Sequence, residues 1–344
     1  MTAQLLIERA GLFDTLQDRG RIGFQALGMP VAGAMDRVAL RLANALVGNT
    51  TDLAAIEISV MGPTLRVEAD SVRLAVVGPV TLDLIAAPGA SPKPLEVDRS
   101  HTLTRGQGLR IGMVDGTSTA YLAIEGGVAL RAFMASLATY TRAGIGGLEG
   151  RKLRDGDTLP LTRDAATSRA ELKFGAAFDY GDGPIRVVLG PQADHFSTAG
   201  HATFLGSDYT VSKEADRMGI RFEGPAIAHS EKGPDIVSDG IAPGSIQVPG
   251  AGLPIVLLAD RQTVGGYAKI ATVISADLPR LGRMLPGDKV RFAAVTVEDA
   301  EALRRDQERR LAQVVAGLLP ALPAGGIDLG ALYERNLIDG VILG

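Results

Sequence analysis

Short apolar runs, each closed off by glycine, proline or charge, recur along the whole chain. Arg73-Leu-Ala-Val-Val-Gly78-Pro79, Tyr121-Leu-Ala-Ile-Glu-Gly-Gly127 and Ile255–Ala259 are examples. Apolar runs of this length between turn residues read as buried strands, so the chain is expected to be mainly β. Two segments break the pattern. From Asp36 to Val47, Val38, Leu42 and Leu46 share one face with Ala39, Ala43 and Val47 beside them, which predicts an amphipathic helix with Gly48 just past its end. A second helix is predicted from Thr296, with Asp299 at capping-box spacing, through EALRRDQERRLAQVVAGLL to a stop at Pro320 and Pro323. Asp328 would cap a short final helix, LGALYERNLI.

The stretch IQVPGAGLPIVLLADRQTVGGYAKIATVI, Ile246 to Ile274, carries the densest functional signal. Its apolar run halts at Asp260, Arg261, Gln262 and Thr263; Gly265, Gly266, Tyr267 and Lys269 follow, and a second run begins at Ile270. Unpaired buried charge is costly, so these groups must find partners or a solvated rim. Two glycines permit positive φ and close backbone approach, as an anion cradle requires. The plain alternative is a hairpin whose Asp260 and Arg261 make surface ion pairs.

The chain also resembles itself. The Arg73–Pro79 run matches Arg186-Val-Val-Leu-Gly190-Pro191, Gly108–Gly112 matches Ser245–Pro249, and Gly150-Arg-Lys-Leu-Arg-Asp-Gly156-Asp157 matches Gly282-Arg-Met-Leu-Pro-Gly287-Asp288. Three marks in one order predict two similar β-barrel units in tandem. We expect the first over 1–165, the second over 183–295 and a helical tail over 296–344, joined through the polar, turn-rich segment Leu161–Gly183. Gln17-Asp-Arg-Gly20 and Ala215-Asp-Arg-Met-Gly219 are alike but differently placed, so strands can exchange between units. The first-half counterpart of the Asp260 block is Ile124-Glu-Gly-Gly127, which has the glycines but not the polar set. That asymmetry is expected of a site grafted on a scaffold.

Length and composition narrow the function classes. A chain of 344 residues suits two domains, and Gly 43 with Pro 18 fits a turn-rich β architecture. A net charge of −4 argues against nucleic-acid binding, and Cys 0 excludes disulfides, thiol nucleophiles and thiolate metal sites. No apolar run reaches membrane-spanning length, and MTAQLLIERAGLFDTLQD lacks the basic start of a secretory signal, so a cytoplasmic protein is expected. His101, His195, His201 and His229 share no metal-ligand spacing, and no metal site is expected. GxxxxGK[ST], HExxH and GxSxG are absent, and Ala143–Gly150 reads as a structural glycine turn. No lysine lies between two methionines, so no biotin is attached to this chain.

Four polar blocks remain: Gln17-Asp18-Arg19-Gly20-Arg21, Gly33-Ala34-Met35-Asp36, Asp216-Arg217-Met218-Gly219, and Asp260 to Lys269. Together they offer carboxylates for proton transfer, arginines for anions and glycines for backbone access. With Leu16–Phe24, Ala43–Asn49, Arg142–Arg151, Leu189–Gln192 and Ile246-Gln247-Val-Pro249, these blocks resemble the KipA-like proteins, also known as the C component of 5-oxoprolinase. That family is related to allophanate hydrolase subunit 2 and to the carboxyltransferase part of urea carboxylase. The resemblance runs from about Leu5 to Phe292; Ala32, Val264 and Ala268 stand where serine, threonine and proline are usual. It implies two tandem cyclophilin-like β-barrels, a KipI-like B component of 5-oxoprolinase as partner and the lactam-utilisation A component as a further one. The leading expectation is ATP-dependent opening of 5-oxoproline to glutamate, with ATP bound by the complex. A carboxyltransferase half acting on biotin carried by another protein, and a non-catalytic antagonist of a kinase inhibitor, are the alternatives. In the first picture Arg261 and Arg217 hold carboxylate or phosphate, and Asp260 or Asp216 move protons. Gln262 and Thr263 orient the substrate. Asp18, Arg21, Gln17, Asp36, Gln247, Gly265, Gly266, Tyr267 and Lys269 complete the expected site.

Overall fold

A computed structural model describes residues 3–321. The first half builds two sheets face to face. One runs Thr158–Pro160, Gln4–Arg9, Thr64–Val67, Gly108–Val114, Val80–Ile85, Lys93–Leu95 in spatial order; the other runs Phe13–Gln17, Ala55–Ser59, Thr119–Ile124, Ser71–Val77, Ser100–Thr104. Alternation sends Leu5, Ile7, Leu65 and Val67 inward from the first sheet, against Leu16, Ile56, Ile58, Leu74 and Leu122 from the second. The five-stranded sheet is buried on its other face as well, where Ala75, Val77, Tyr121 and Ala123 lie under Val38, Leu42 and Leu46 of helix α1, Arg37–Leu46. Burial on both faces is why these strands read as unbroken apolar runs rather than alternating ones.

The second half is one eight-stranded sheet ordered Lys289–Val290, Tyr209–Ala215, Gly219–Glu223, Ile255–Leu257, Ser245–Gln247, Lys269–Val273, Ile185–Leu189, Phe292–Ala294. Its two outermost strands are separated in sequence by Arg291 alone, so the chain itself carries one edge round to the other and the barrel nearly closes. Phe204 of helix α2 (Thr198–Gly206) stacks on Phe292 at 4.8 Å, with Tyr209 and Phe222 against the same ring. Helix α3, Leu278–Leu281, follows the strand Lys269–Val273.

The duplication is visible in detail at the glycine–aspartate marks. Gly156 and Gly287 both have positive φ, at 85° and 96°. Asp157 and Asp288 accept the N–H groups of Arg154 and Leu285 at 2.7 and 2.8 Å, while the two glycines donate to Ile7 and Val211 at 2.8 and 2.9 Å. Pairing alters one correspondence. Thr119–Ile124 pairs antiparallel with the Arg73 strand, and the strand so placed beside Ile185–Leu189 is Lys269–Val273, not Ile255–Leu257. The Asp260 block therefore precedes the counterpart strand instead of replacing the Glu125 turn.

Helix α4, Val297–Ala316, is capped by Thr296, whose side chain accepts from Asp299 N–H. It ends at Gly317, ahead of Pro320, which lies in a strand Leu318–Ala321 paired with Glu171–Phe174. That pairing puts order into the expected join, where Arg73 also binds the Thr167 and Arg169 carbonyls at 3.2 and 2.7 Å. Helix α4 spans both halves: Leu311 packs with the α1 layer and Glu308 pairs with Arg41 at 2.8 Å, while Gln307 donates to the Ala276 carbonyl at 2.6 Å. The predicted final helix after Asp328 lies outside the described residues.

Candidate functional site

The polar stretch after Ile255–Leu257 does not form a simple hairpin. The Ser245–Gln247 strand lies between the two apolar strands, and Val264–Tyr267 pairs instead with Asp235–Gly240 as a separate ribbon. This leaves a cleft of about 600 Å³ between the ribbon and the barrel wall. Gly265, Gly266 and Tyr267 come from the ribbon, Gln247, Lys213 and Arg221 from barrel strands, and Asp216 and Gln262 from the loops that follow strands. Arg142 reaches in from the first unit and meets Asp216 at 3.4 Å, with both side chains more than half exposed. Neither Gly265 nor Gly266 has positive φ, contrary to the reading of them as a left-handed cradle. Their absent side chains allow close approach instead: a Cβ on Gly265 would lie 2.7 Å from Ile241 and 2.8 Å from the Gln247 amide. The positive-φ pair is Gly126–Gly127 in the first half, at 78° each.

Behind the cleft the expected charged residues form a buried network joining the two units. Arg217 grips Asp260 through Nε and Nη2 at 2.9 and 3.0 Å, donates from Nη1 to Glu57, and reaches the Gly33 carbonyl at 2.6 Å. Glu57 also accepts from the Tyr121 hydroxyl at 2.5 Å and Met35 N–H at 2.8 Å. Burial works against the Arg217 charge, but Glu57 and Asp260 outweigh it and hold the guanidinium above its ordinary range. Burial first, then the neighbouring Glu57 and Asp36 charges, push the Tyr121 hydroxyl well up. Asp36 caps α1 by accepting from Val38 and Ala39 at 2.9 and 3.0 Å; its other oxygen takes Tyr180 at 2.7 Å and Arg283 at 3.2 Å. Burial raises the Asp36 pKa despite these donors. Gly33 must be glycine here: its φ is +84° and a Cβ would lie 2.7 Å from Gly20 N.

Asp18 is bound by Gly20 N–H, Ser136 and Leu137 N–H, each at 2.7 Å. Arg21 is fully buried, donates to the Ala138 carbonyl and lies near the Phe133 ring, while burial lowers its pKa against the pull of Asp18 and Asp260. Gln17 binds Thr15 and the Thr139 carbonyl at 2.9 and 3.1 Å. Lys269 is buried and pairs at 2.7 Å with Asp239, whose pKa that contact lowers. Thr263 is half-buried, its carbonyl taken by Ile241 N–H at 3.0 Å. Arg261 is buried on the side away from the cleft, bound to the Ile241 and Leu258 carbonyls at 3.2 and 3.1 Å. Six of the predicted residues thus line the cleft (Asp216, Gln247, Gln262, Gly265, Gly266, Tyr267), and the other nine, Arg261 among them, do not.

Sequence reasoning missed Glu57, Arg142, Lys213 and Arg221. Glu57 had a signal: in Ala55-Ile-Glu-Ile-Ser59 a carboxylate alternates with buried isoleucines, so it needs a partner on the strand's other face. At Ala268 the N–H donates to the Pro234 carbonyl at 2.8 Å, a bond that a proline there could not make. Each histidine has a ring nitrogen within hydrogen-bonding distance of a backbone carbonyl, and no group of three metal-binding side chains occurs among the described residues. No helix there is long and apolar enough to cross a membrane.

Comparison with known proteins places this architecture. Residues 27–294 match the family described as carboxyltransferase domain, subdomain A and B. The chain is 37% identical to the 5-oxoprolinase C component of Escherichia coli, over 90% of this chain and 97% of that one. It is 35% identical to the protein of the same name from Haemophilus influenzae, over 87% and 94%. Among solved structures, Kluyveromyces lactis urea carboxylase superposes with a TM-score of 0.80 at 25% identity, over 91% of this chain but 29% of that one. The chain belongs to the carboxyltransferase-domain family, subdomains A and B, of which the C component of 5-oxoprolinase is a member.

Proposed function

We propose that this chain is the C component of an ATP-dependent 5-oxoprolinase that acts with a KipI-like B component and a lactam-utilisation A component. The observation that carries the proposal is near end-to-end similarity to proteins of that name, together with a cleft whose groups suit a small carboxylate-bearing amide. In this reading the Gln247 and Gln262 amides pair with the lactam N–H and C=O, and Arg142, Lys213 or Arg221 takes the carboxylate. Lactams resist hydrolysis because the ring nitrogen feeds the carbonyl. Transfer of the ATP γ-phosphoryl group to the lactam oxygen would make that carbon electrophilic. Water then adds at that carbon and the C–N bond breaks with proton transfer to nitrogen, which leaves an acyl phosphate; a second water hydrolyses this to glutamate and inorganic phosphate. The second reading is carboxyl transfer from biotin carried by another protein, and the likeness to urea carboxylase favours it.

Co-expression with the neighbouring components tests both. ATP-dependent glutamate release from 5-oxoproline is the expected result; biotin-dependent carboxylation of urea-like amides in its place would select the second reading. Gln262→Ala in the assembled complex is expected to lower turnover roughly 10–100-fold, the worth of one hydrogen bond to a charged or strongly polarised group. Unchanged turnover in a complex of normal composition would remove Gln262 from the site.

A further inference from the structure

A second cavity, of about 120 Å³, lies where the Val31–Met35 segment, α1, α3 and α4 meet, and it shares no lining residue with the cleft. Its walls are mostly apolar, including Val31, Leu258 and Leu278, and its titratable lining residues are three arginines: Arg37, Arg261 and Arg304. No carboxylate lines it. Arg261 is 1% exposed; Nε and Nη1 bind backbone carbonyls, and Nη2 is buried with no partner among the described residues. Arg37 is exposed at the rim and makes no hydrogen bond or ion pair among the described residues. Arg304 is partly engaged, by Gln307 at 2.6 Å and Glu308 at 2.5 Å.

This arrangement is unfavourable when empty. An unmade hydrogen bond from a buried charged group costs more than an ordinary one gains. Burial and then the Arg37 charge bring the Arg261 guanidinium down to about 10. An anion between the arginines would reverse both penalties by accepting the Nη2 proton and neutralising the repulsion. A space of about 120 Å³ holds several waters and so admits a small oxyanion.

We propose that the cavity is a binding site for a small oxyanion of phosphate or carboxylate size, held by Arg261 from inside and by Arg37 and Arg304 at the rim. The site is separate from the cleft and independent of which amide the cleft accepts. The test is calorimetric titration of the purified chain with inorganic phosphate and, in parallel, with acetate, at ionic strength fixed with chloride. Saturable binding of either, with a matching rise in thermal midpoint, is the expected result, and the preferred anion shows whether a phosphate or a carboxylate source is relevant. Arg37→Ala, at an exposed and unbonded position, is expected to keep the anion-free midpoint and weaken binding at least about tenfold. Arg261→Met, which also removes a buried unpaired donor, is expected to abolish binding. Should that variant fail to fold, Arg37→Ala and Arg304→Gln decide the matter. Absence of binding by either anion, or unchanged affinity in both rim variants, overturns the proposal.

Discussion

Arg217 illustrates how much of this protein's chemistry is spent on holding itself together. Its partners Glu57 and Asp260 belong to different units, and removing the cation would leave two buried carboxylates facing each other. Loss of one partner from a buried pair costs about 3–5 kcal/mol, so Arg217→Ala is expected to lower urea-unfolding stability by that amount. A loss below about 1 kcal/mol would mean that water screens the network. Asp14 gives a pH dependence. Burial pushes its carboxyl up to about 7, against the Gly11 N–H and Lys152 that pull it down. The folded chain therefore keeps a proton that an unfolded aspartate, near 3.9, has released. Stability from this residue is fully present below about pH 4 and is lost as pH rises through about 7, at about 1.4 kcal/mol per pKa unit. Asp14→Asn retains an acceptor for Gly11 without the charge, and should flatten the stability profile between about pH 5 and 7. Parallel profiles for the variant and the parent would refute this.

At the scale of elements, α1 is held from both ends of its cap. Asp36 satisfies the first N–H groups of the helix and also receives Tyr180 and Arg283, so it couples the helix to the join and to the second unit. An ordinary N-cap loss costs about 1 kcal/mol; Asp36→Ala is expected to exceed it, read as a fall in thermal midpoint larger than that of Ser197→Ala at the cap of α2. Both long helices were legible, α1 from its apolar stripe and α4 from its Thr296 cap. Helix α2 was not, since Thr198–Gly206 lacks an apolar stripe and buries only Gly200 and Phe204. The strand Val264–Tyr267 was not anticipated within the polar stretch, because strand partners are chosen by tertiary contact, and nothing local in VGGY names Asp235–Gly240.

For the molecule as a whole, repetition of the glycine–aspartate marks revealed the two-unit plan, because such a turn needs positive φ and carries its own sequence. The cleft was half legible. Its glutamines, glycines and tyrosine stood in one stretch, Ile246 to Ile274, but Arg142 comes from the other unit, and Lys213 and Arg221 are brought in by the strands Tyr209–Ala215 and Gly219–Glu223. The buried arginines drew notice as chemistry because a sequence shows charge without depth: Glu57 and Arg217 are 160 positions apart.

The near-closed barrel has a consequence for biosynthesis. Its seam is sealed by Lys289–Val290 and Phe292–Ala294, the last strands of that sheet to be made, and α1 receives its outer layer from Leu311 and Val314 later still. During translation the growing chain must therefore leave the ribosome with an open barrel edge and an apolar helix face uncovered. Premature termination before about residue 295 is expected to yield an aggregating fragment rather than a smaller folded protein, readable as loss of soluble material from a series of truncated chains.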